Sequence, residues 1–438
     1  MEKLIMIAQF VSGLSIIVGL HELGHLLFAK LFGMRVESYI IGFPPKLFSF
    51  KWGETEYALG VIPFGGAVKI SGMVDESLDT ESLGAPPQPW EFRSKPAWQR
   101  LLVMLGGIIF NIITGIAIYI TLAFVTGDTY LAKDEVNKCG IVPNVIGYEM
   151  GFQEGDKITH INGRNFKRFA EILSPSTLLS ADGYYTVLRG DQVLRIDIPP
   201  NLVETLSDKK YLGAFVAPRV PFKVAAILPD SSAAKAGLQP GDQIIALAGM
   251  TTTYLHQLQQ LLAVNIAKEV TLSILRQGRV REVPVHVSAT GKLGFRPALL
   301  LSYEHQRYCL RDAIAIGTAR AFNVVKTNAV GLSRILTGKM SASKSLSGPI
   351  GIAKIFGYQF IWIKFWSIVG FLSMVLALTN LLPIPALDGG HVMFLLYEMT
   401  TGHRLSDKFL EAAQKVGMSI LLFLIGYTIF NDLYKSLC

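Results

Sequence analysis

Apolar residues gather into four long runs, and the polar stretches between them divide the chain. Residues 101–125 carry no charged side chain, and the run exceeds the ~20 residues a helix needs to cross a hydrocarbon core. Similar runs cover about 4–30, 366–387 and 416–433. The pattern predicts four transmembrane helices. Lys3 would suit the basic flank of a signal peptide, but no small-residue cleavage site follows, so the first run is expected to be retained.

Between the first two runs, residues 43–83 alternate apolar and polar positions around a Gly53-Glu54 turn, which predicts a β-hairpin. Gly60, Gly65 and Gly66 leave room there for another backbone. Such a hairpin either clamps an extended substrate along its edge or is a plain cytosolic hairpin.

The polar middle contains a repeat. Gly151-Phe-Gln-Glu-Gly-Asp-Lys-Ile-Thr-His-Ile-Asn-Gly163 aligns with Gly237-Leu-Gln-Pro-Gly-Asp-Gln-Ile-Ile-Ala-Leu-Ala-Gly249. Each copy is followed by a strand-like run ending in Leu-Arg and a Gly turn, at Gly190 or Gly278. Two copies of one small domain fit 128–220 and 221–308. Ile158 and Ile161, like Ile244 and Leu247, are expected to face a core.

Residues 309–365 open with helical spacing. Ile314, Ala321, Val324, Val325 and Ile335 share one face, while Arg311, Arg320, Lys326 and Arg334 fall on the other. The pattern fits a helix lying in the headgroup region or a linker helix packed on the second repeat.

Composition sharpens this picture. Only 17% of the 438 residues are charged and 50% are hydrophobic, with a mean hydropathy of +0.40. The formal net charge is +8. No basic patch interleaved with aromatics occurs, so anionic lipid is a simpler partner than nucleic acid. Basic residues near the span ends favour the segments between runs one and two and between runs three and four. This places both termini and the middle region outside. Three cysteines with no CxxC spacing argue against a disulfide framework or a cysteine zinc site.

The chemistry centres on His21-Glu22-Leu23-Gly24-His25, in the first apolar run. Residues four apart on a helix share a face, so both imidazoles can meet one metal ion. Glu22 is then placed to take a proton from water on the metal. Ionisable groups in a membrane span are costly unless used, although a structural polar cluster has the same composition. A catalytic zinc needs a third protein ligand. Asp388 is the candidate, in Asn380-Leu-Leu-Pro-Ile-Pro-Ala-Leu-Asp-Gly-Gly390, where two prolines and two glycines interrupt the third span. An ordinary loop aspartate is the plainer reading of that residue alone. His391 is a rival ligand or a residue that supports the ligands. Asn111 is a lone amide among small residues and is expected to serve helix packing.

HExxH in the first span together with N-x-x-P-x-x-x-L-D-G in the third resembles the site-2 protease family. The repeats resemble PDZ domains and narrow the likeness to the bacterial regulator-of-sigma-E type. The resemblance implies a polytopic α-helical membrane protein with four transmembrane helices, a membrane-associated re-entrant β-hairpin and two α+β PDZ domains. It implies one zinc ion held by His21, His25 and Asp388, Glu22 as catalytic base, and Asn380 and Pro383 in a substrate-holding segment. The implied substrates are single-span membrane proteins, such as a trimmed anti-sigma factor or signal-peptide remnants, in a bacterial inner membrane. The PDZ pair would bind peptide C-termini or substrate outer domains, or act as a size filter. A catalytically inactive PDZ-bearing adaptor is the alternative. A transporter would show paired broken helices, and only one broken span is evident.

Overall fold

The computed structural model describes residues 2–73, 86–180, 182–207, 213, 215–338, 340–345 and 347–437. The stretch 74–83 of the expected hairpin region lies outside them. The chain divides into two compact units, one of Met1–Gly127 with Arg307–Cys438 and the other of Asp128–Gln306.

In the first unit, α1 (Glu2–Leu31) and α2 (Ala97–Thr126) flank a hairpin of β1 (Val36–Trp52) and β2 (Thr55–Ile70). The remainder is helical: α3 (Leu310–Leu336), α4 (Pro349–Phe356), α5 (Trp362–Asn380), α6 (Asp388–Thr401) and α7 (Asp407–Leu437). Among the described residues, α1, α2, α5 and the 408–434 part of α7 are long and apolar enough to cross a membrane. They fit a polytopic membrane protein.

Close backbone approach sets the packing of α1 on α2. A side chain at Gly24 would run into the carbonyl of Gly106, and one at Gly106 would meet the carbonyl of Gly24. Small residues at a crossing substitute for the hydrophobic drive that is missing between helices in lipid. At the other end of α1, Phe10 and Ile17 share a buried cluster with Phe356 of α4 and Phe365, Ile368 and Val369 of α5.

The third apolar run does not continue as helix to residue 387. Helix α5 stops at Asn380, and 381–387 forms irregular turns around Pro383 and Pro385. The two glycines do not end a span but begin α6. Side chains at Gly389 and Gly390 would strike the carbonyls of Leu382 and Ile384, so their absence lets the new helix start against its own preceding loop. Ala386 sits in that loop with φ +85°.

The hairpin begins earlier than its alternation indicates, at Val36, and is more folded. Ile40 of β1 pairs with Ala67 on one side and Ala58 on the other, while Ser49 also pairs with Ala58. The ribbon thus doubles back, giving the lateral order 46–52, 55–60, 38–41, 66–70. Gly60 lies where the strands bend, and a side chain there would meet the carbonyls of Gly42 and Phe43. The far end exposes Leu47, Phe48, Phe50 and Trp52.

In α3 the buried positions are Ala313, Gly317 and Ala321, one turn apart. Gly317 touches the backbone of Ile120 in α2, and Ala313 clusters with Ala123 and Tyr308. Ile314, expected on the apolar face, is exposed. The smallest side chains rather than the most hydrophobic ones choose the contact, because they allow the nearest approach.

The second unit contains two four-stranded sheets with the same strand order. In the first, Lys157–Ile161 lies between Arg164–Asn165 and Tyr184–Arg189, with Gln192–Asp197 outermost. In the second, Gln243–Leu247 lies between Met250–Thr251 and Glu269–Arg276, with Arg279–His286 outermost. Ile158 and Ile161 belong to one core, Ile244 and Leu247 to another. Each repeat also contains the same ion pair, a buried aspartate held by a partly exposed arginine. Arg189 donates to both oxygens of Asp156 at 2.8 Å, and Arg276 to both oxygens of Asp242 at 2.7 Å. The same guanidinium reaches the carbonyl of Gly151 or Gly237, tying the Gly-Asp turn to the strand. Strand Asp128–Leu131, where the unit begins, pairs antiparallel with Tyr303–Gln306, where it ends. Cys139 and Cys309 are free thiols.

Candidate metal centre

The helical spacing of His21 and His25 puts both rings on the same buried face of α1, with Nε2 atoms 3.3 Å apart. Asp388 opens α6, and its Oδ2 lies 3.3 Å from His21 Nε2 and 3.5 Å from His25 Nε2. Three ligand atoms of a tetrahedral ion with bonds of about 2.0–2.2 Å stand about 3.3–3.6 Å apart. The observed triangle has that size.

Two further observations bear on whether zinc fits. Asp388 Oδ2 is buried without a hydrogen-bond partner, an arrangement that is costly for a carboxylate unless a cation satisfies it. His25 Nδ1–H donates to the carbonyl of Val103 at 2.8 Å, which leaves the Nε2 lone pair directed into the triangle. Two neutral imidazoles and one carboxylate form a donor set well suited to zinc.

Asn111 does more than pack helices. Its amide lies 3.0 Å from His21 Nδ1, and its Oδ1 is buried without a partner. With the amide turned by 180°, Oδ1 accepts from His21 Nδ1–H and fixes the tautomer whose Nε2 faces the triangle. Its backbone carbonyl accepts from Ser373 of α5 at 2.8 Å, which anchors that stretch of α2. Asn380 Nδ2 reaches His21 Nε2 at 3.2 Å, so this second amide borders the triangle directly. A lone pair cannot serve both Asn380 and a metal, and the unpartnered Asp388 oxygen favours the metal.

These groups open on a cavity of about 150 Å³. Glu22 lines it beside the two histidines, together with Asn380, Asp388, His391 and the 66–68 part of β2. Gly66 packs against Glu22: a side chain there would come within 2.8 Å of the Glu22 Cγ. Among the described residues, only His21, His25 and Asp388 of this region form a metal-ligating cluster. His391 lines the cavity outside that triangle, with its ring edge-on to Phe394. Gly65 packs on the Phe43 ring. Neither Gly65 nor Pro383 is among the described residues that line the cavity.

Sequence reasoning missed Gln414. This residue of α7 lines the same cavity, is 3% exposed, and has a side-chain nitrogen without a partner. A lone amide in an apolar helix was the available signal, but it falls just ahead of the run at 416–433.

The profile of Peptidase family M50 matches residues 9–424. A Neisseria meningitidis protein provisionally named a zinc metalloprotease is 28% identical, the match covering 98% of each chain. The Escherichia coli protein named regulator of sigma-E protease RseP is also 28% identical, over 97% of this chain and 98% of its own. A provisionally named zinc metalloprotease of Xylella fastidiosa is 29% identical over 96% of each chain. With a family match spanning nearly its whole length, the chain belongs to peptidase family M50 and is a zinc metalloprotease.

Proposed function

We infer that the protein hydrolyses peptide bonds in the membrane segments of single-span membrane proteins, with His21, His25 and Asp388 holding one zinc ion. The observation that carries this reading is the ligand triangle closed by the unpartnered Asp388 oxygen. Bound there, zinc supplies a Lewis acid that brings the pKa of a water molecule toward ~7. Glu22, in the cavity lining, is placed to take a proton from the attacking water and to return it to the departing amine.

A helical peptide bond is shielded by its own hydrogen bonds, so cleavage requires local unwinding. The 66–70 segment is the edge of the folded hairpin and borders the cavity, which supports its pairing with an extended substrate. Asn380 holds substrate at the metal side, with Pro383 shaping the loop that follows it. Gly66 allows close approach, and Gly65 keeps the hairpin compact. Exposed Phe48, Phe50 and Trp52 suit a hairpin that dips into lipid.

The two repeats, at about 128–220 and 221–308, are proposed to be PDZ-like domains that bind peptide C-termini or exclude bulky outer domains. Segment 309–365 is proposed to lie at the interface, its basic residues toward headgroups. The protein resides in a bacterial inner membrane with both termini and the repeats outside and the zinc site toward the cytoplasm. Its substrates include a trimmed anti-sigma factor and signal-peptide remnants, in keeping with the name of the Escherichia coli relative.

Purified wild type and Glu22→Gln, each with and without chelator, are compared on a panel of single-span substrates. Cleavage by the wild type alone, abolished by chelator, is expected. Cleavage by Glu22→Gln at the wild-type rate defeats the reading and favours an adaptor.

A further inference from the structure

The cavity contains one amide that none of the roles above uses. Gln414 is buried, lines the same cavity as Asp388 and Glu22, and has an Nε2 donor with no acceptor. A buried donor left unpaired is destabilising. Such groups persist where a ligand completes them.

Its placement is fixed by tight contact. Gly417, one helical turn on, packs directly onto the carbonyl of Pro385 and within 3.0 Å of Ala386 N, as measured from the side chain it lacks. Helix α7 is therefore seated on the loop that leads into Asp388. Gln414 projects from the same face of α7, since residues three apart are neighbours on a helix. The other cavity amide, Asn380, lies against the triangle, 3.2 Å from His21 Nε2. Glu22 and Asp388, when ionised, only accept. Gln414 is thus a cavity amide whose donor no protein group occupies, away from the ligand atoms that Asn380 borders.

We propose that Gln414 Nε2–H donates to the scissile carbonyl oxygen as negative charge develops there, making it a further catalytic residue of this site. The inference rests on the protease reading above. When the water oxygen bonds to the carbonyl carbon, the π pair moves onto the carbonyl oxygen and the water proton goes to Glu22. The Gln414 amide holds the charged oxygen and transfers no proton. A donor prepositioned at such an oxygen acts mainly on the transition state.

The test uses the full-length, zinc-loaded protein in detergent with one single-span substrate. Gln414→Met, close in volume but without a donor, is expected to lower kcat about 10²–10³-fold, with KM little changed. Zinc content is expected to stay at the wild-type level, and Tm to stay the same or rise, because an unpaired buried amide has been removed. Gln414→Glu keeps the shape, replaces the donor with an acceptor, and is expected to be at least as slow. Wild-type kcat in either variant overturns the proposal. A loss confined to KM also overturns it, as does a Gln414→Met protein that unfolds or loses zinc, since either outcome assigns the residue to binding or structure. Glu22→Gln, run alongside, separates the two readings. If Glu22→Gln is inactive and Gln414→Met is not, only the role of Gln414 fails. If Glu22→Gln cleaves normally, the protease site itself fails.

Discussion

Gly107 of α2 abuts His25 of α1 so closely that a side chain at 107 would come within 2.5 Å of the His25 Nε2. The same side chain would also overlap the His21 ring. A hydrogen at this position is what allows both imidazoles to stand side by side.

Gly107→Ala is accordingly expected to displace both rings and strip the metal. Zinc per chain, measured by elemental analysis after dialysis, should fall below half, with cleavage lost in parallel. Gly426→Ala is the control. Nothing lies within 4 Å of the added methyl there, and the variant should match wild type with a small gain in helix stability.

Asn111→Ala removes the acceptor that holds the His21 tautomer. Loss of such a partner typically weakens metal affinity 10–100-fold. Competition with a zinc chelator should show a shift of that order while the protein stays folded. Unchanged affinity would mean that His21 is held by packing alone.

Gly417→Leu would force α7 off the Pro385–Ala386 backbone and move Asp388 from the histidines. The expected outcome is loss of zinc and of cleavage together. Retention of both would show that the 381–387 loop is positioned by α5 and α6 without α7.

The repeated ion pairs predict a pH dependence for the second repeat. Burial raises the Asp242 pKa, but the Arg276 fork and the Gln239 N–H outweigh it, and the carboxyl titrates below its ordinary value. A depressed carboxylate contributes stability that is complete above its unfolded value of ~3.9 and is lost as pH falls through the folded value. Arg276→Met leaves the carboxylate with the Gln239 N–H alone, so its folded value is held down less and the variant is less stable at neutral pH. The variant should therefore lose less stability than the wild type as pH falls from about 5 to about 2. Hydrogen exchange in Gln243–Leu247, corrected for intrinsic rates, checks the flatter dependence.

Much of the centre was legible because its information is local. An i, i+4 histidine pair on an apolar helix specifies a shared face, and two prolines near an aspartate specify a break. What escaped depends on contacts distant in sequence. The sequence pattern puts Asp388 at the end of a span, whereas it starts a helix, because only the folded loop reveals what Gly389 and Gly390 pack against. The doubling of the hairpin is invisible in alternation, since Ile40 keeps the same period whichever partner it takes. Asp156 and Arg189 both recur in the second repeat, as Asp242 and Arg276, yet their pairing emerges only when the Gly-Asp turn and the following strand meet. Of the apolar face expected for α3, Ala321 lies at the contact and Ile314 is exposed, because hydropathy does not register the advantage of alanine and glycine at a close crossing.

The pairing of Asp128 with Gln306 has an engineering corollary. Partners in an antiparallel ladder have Cα atoms only about 5 Å apart. The chain therefore leaves and re-enters the 128–306 unit through adjacent points, like a cassette inserted at a single locus. A few glycines joining 127 to 307 would close the gap, so excision leaves the helical chain with its ends already in register. Any other module whose termini lie side by side could be installed in its place.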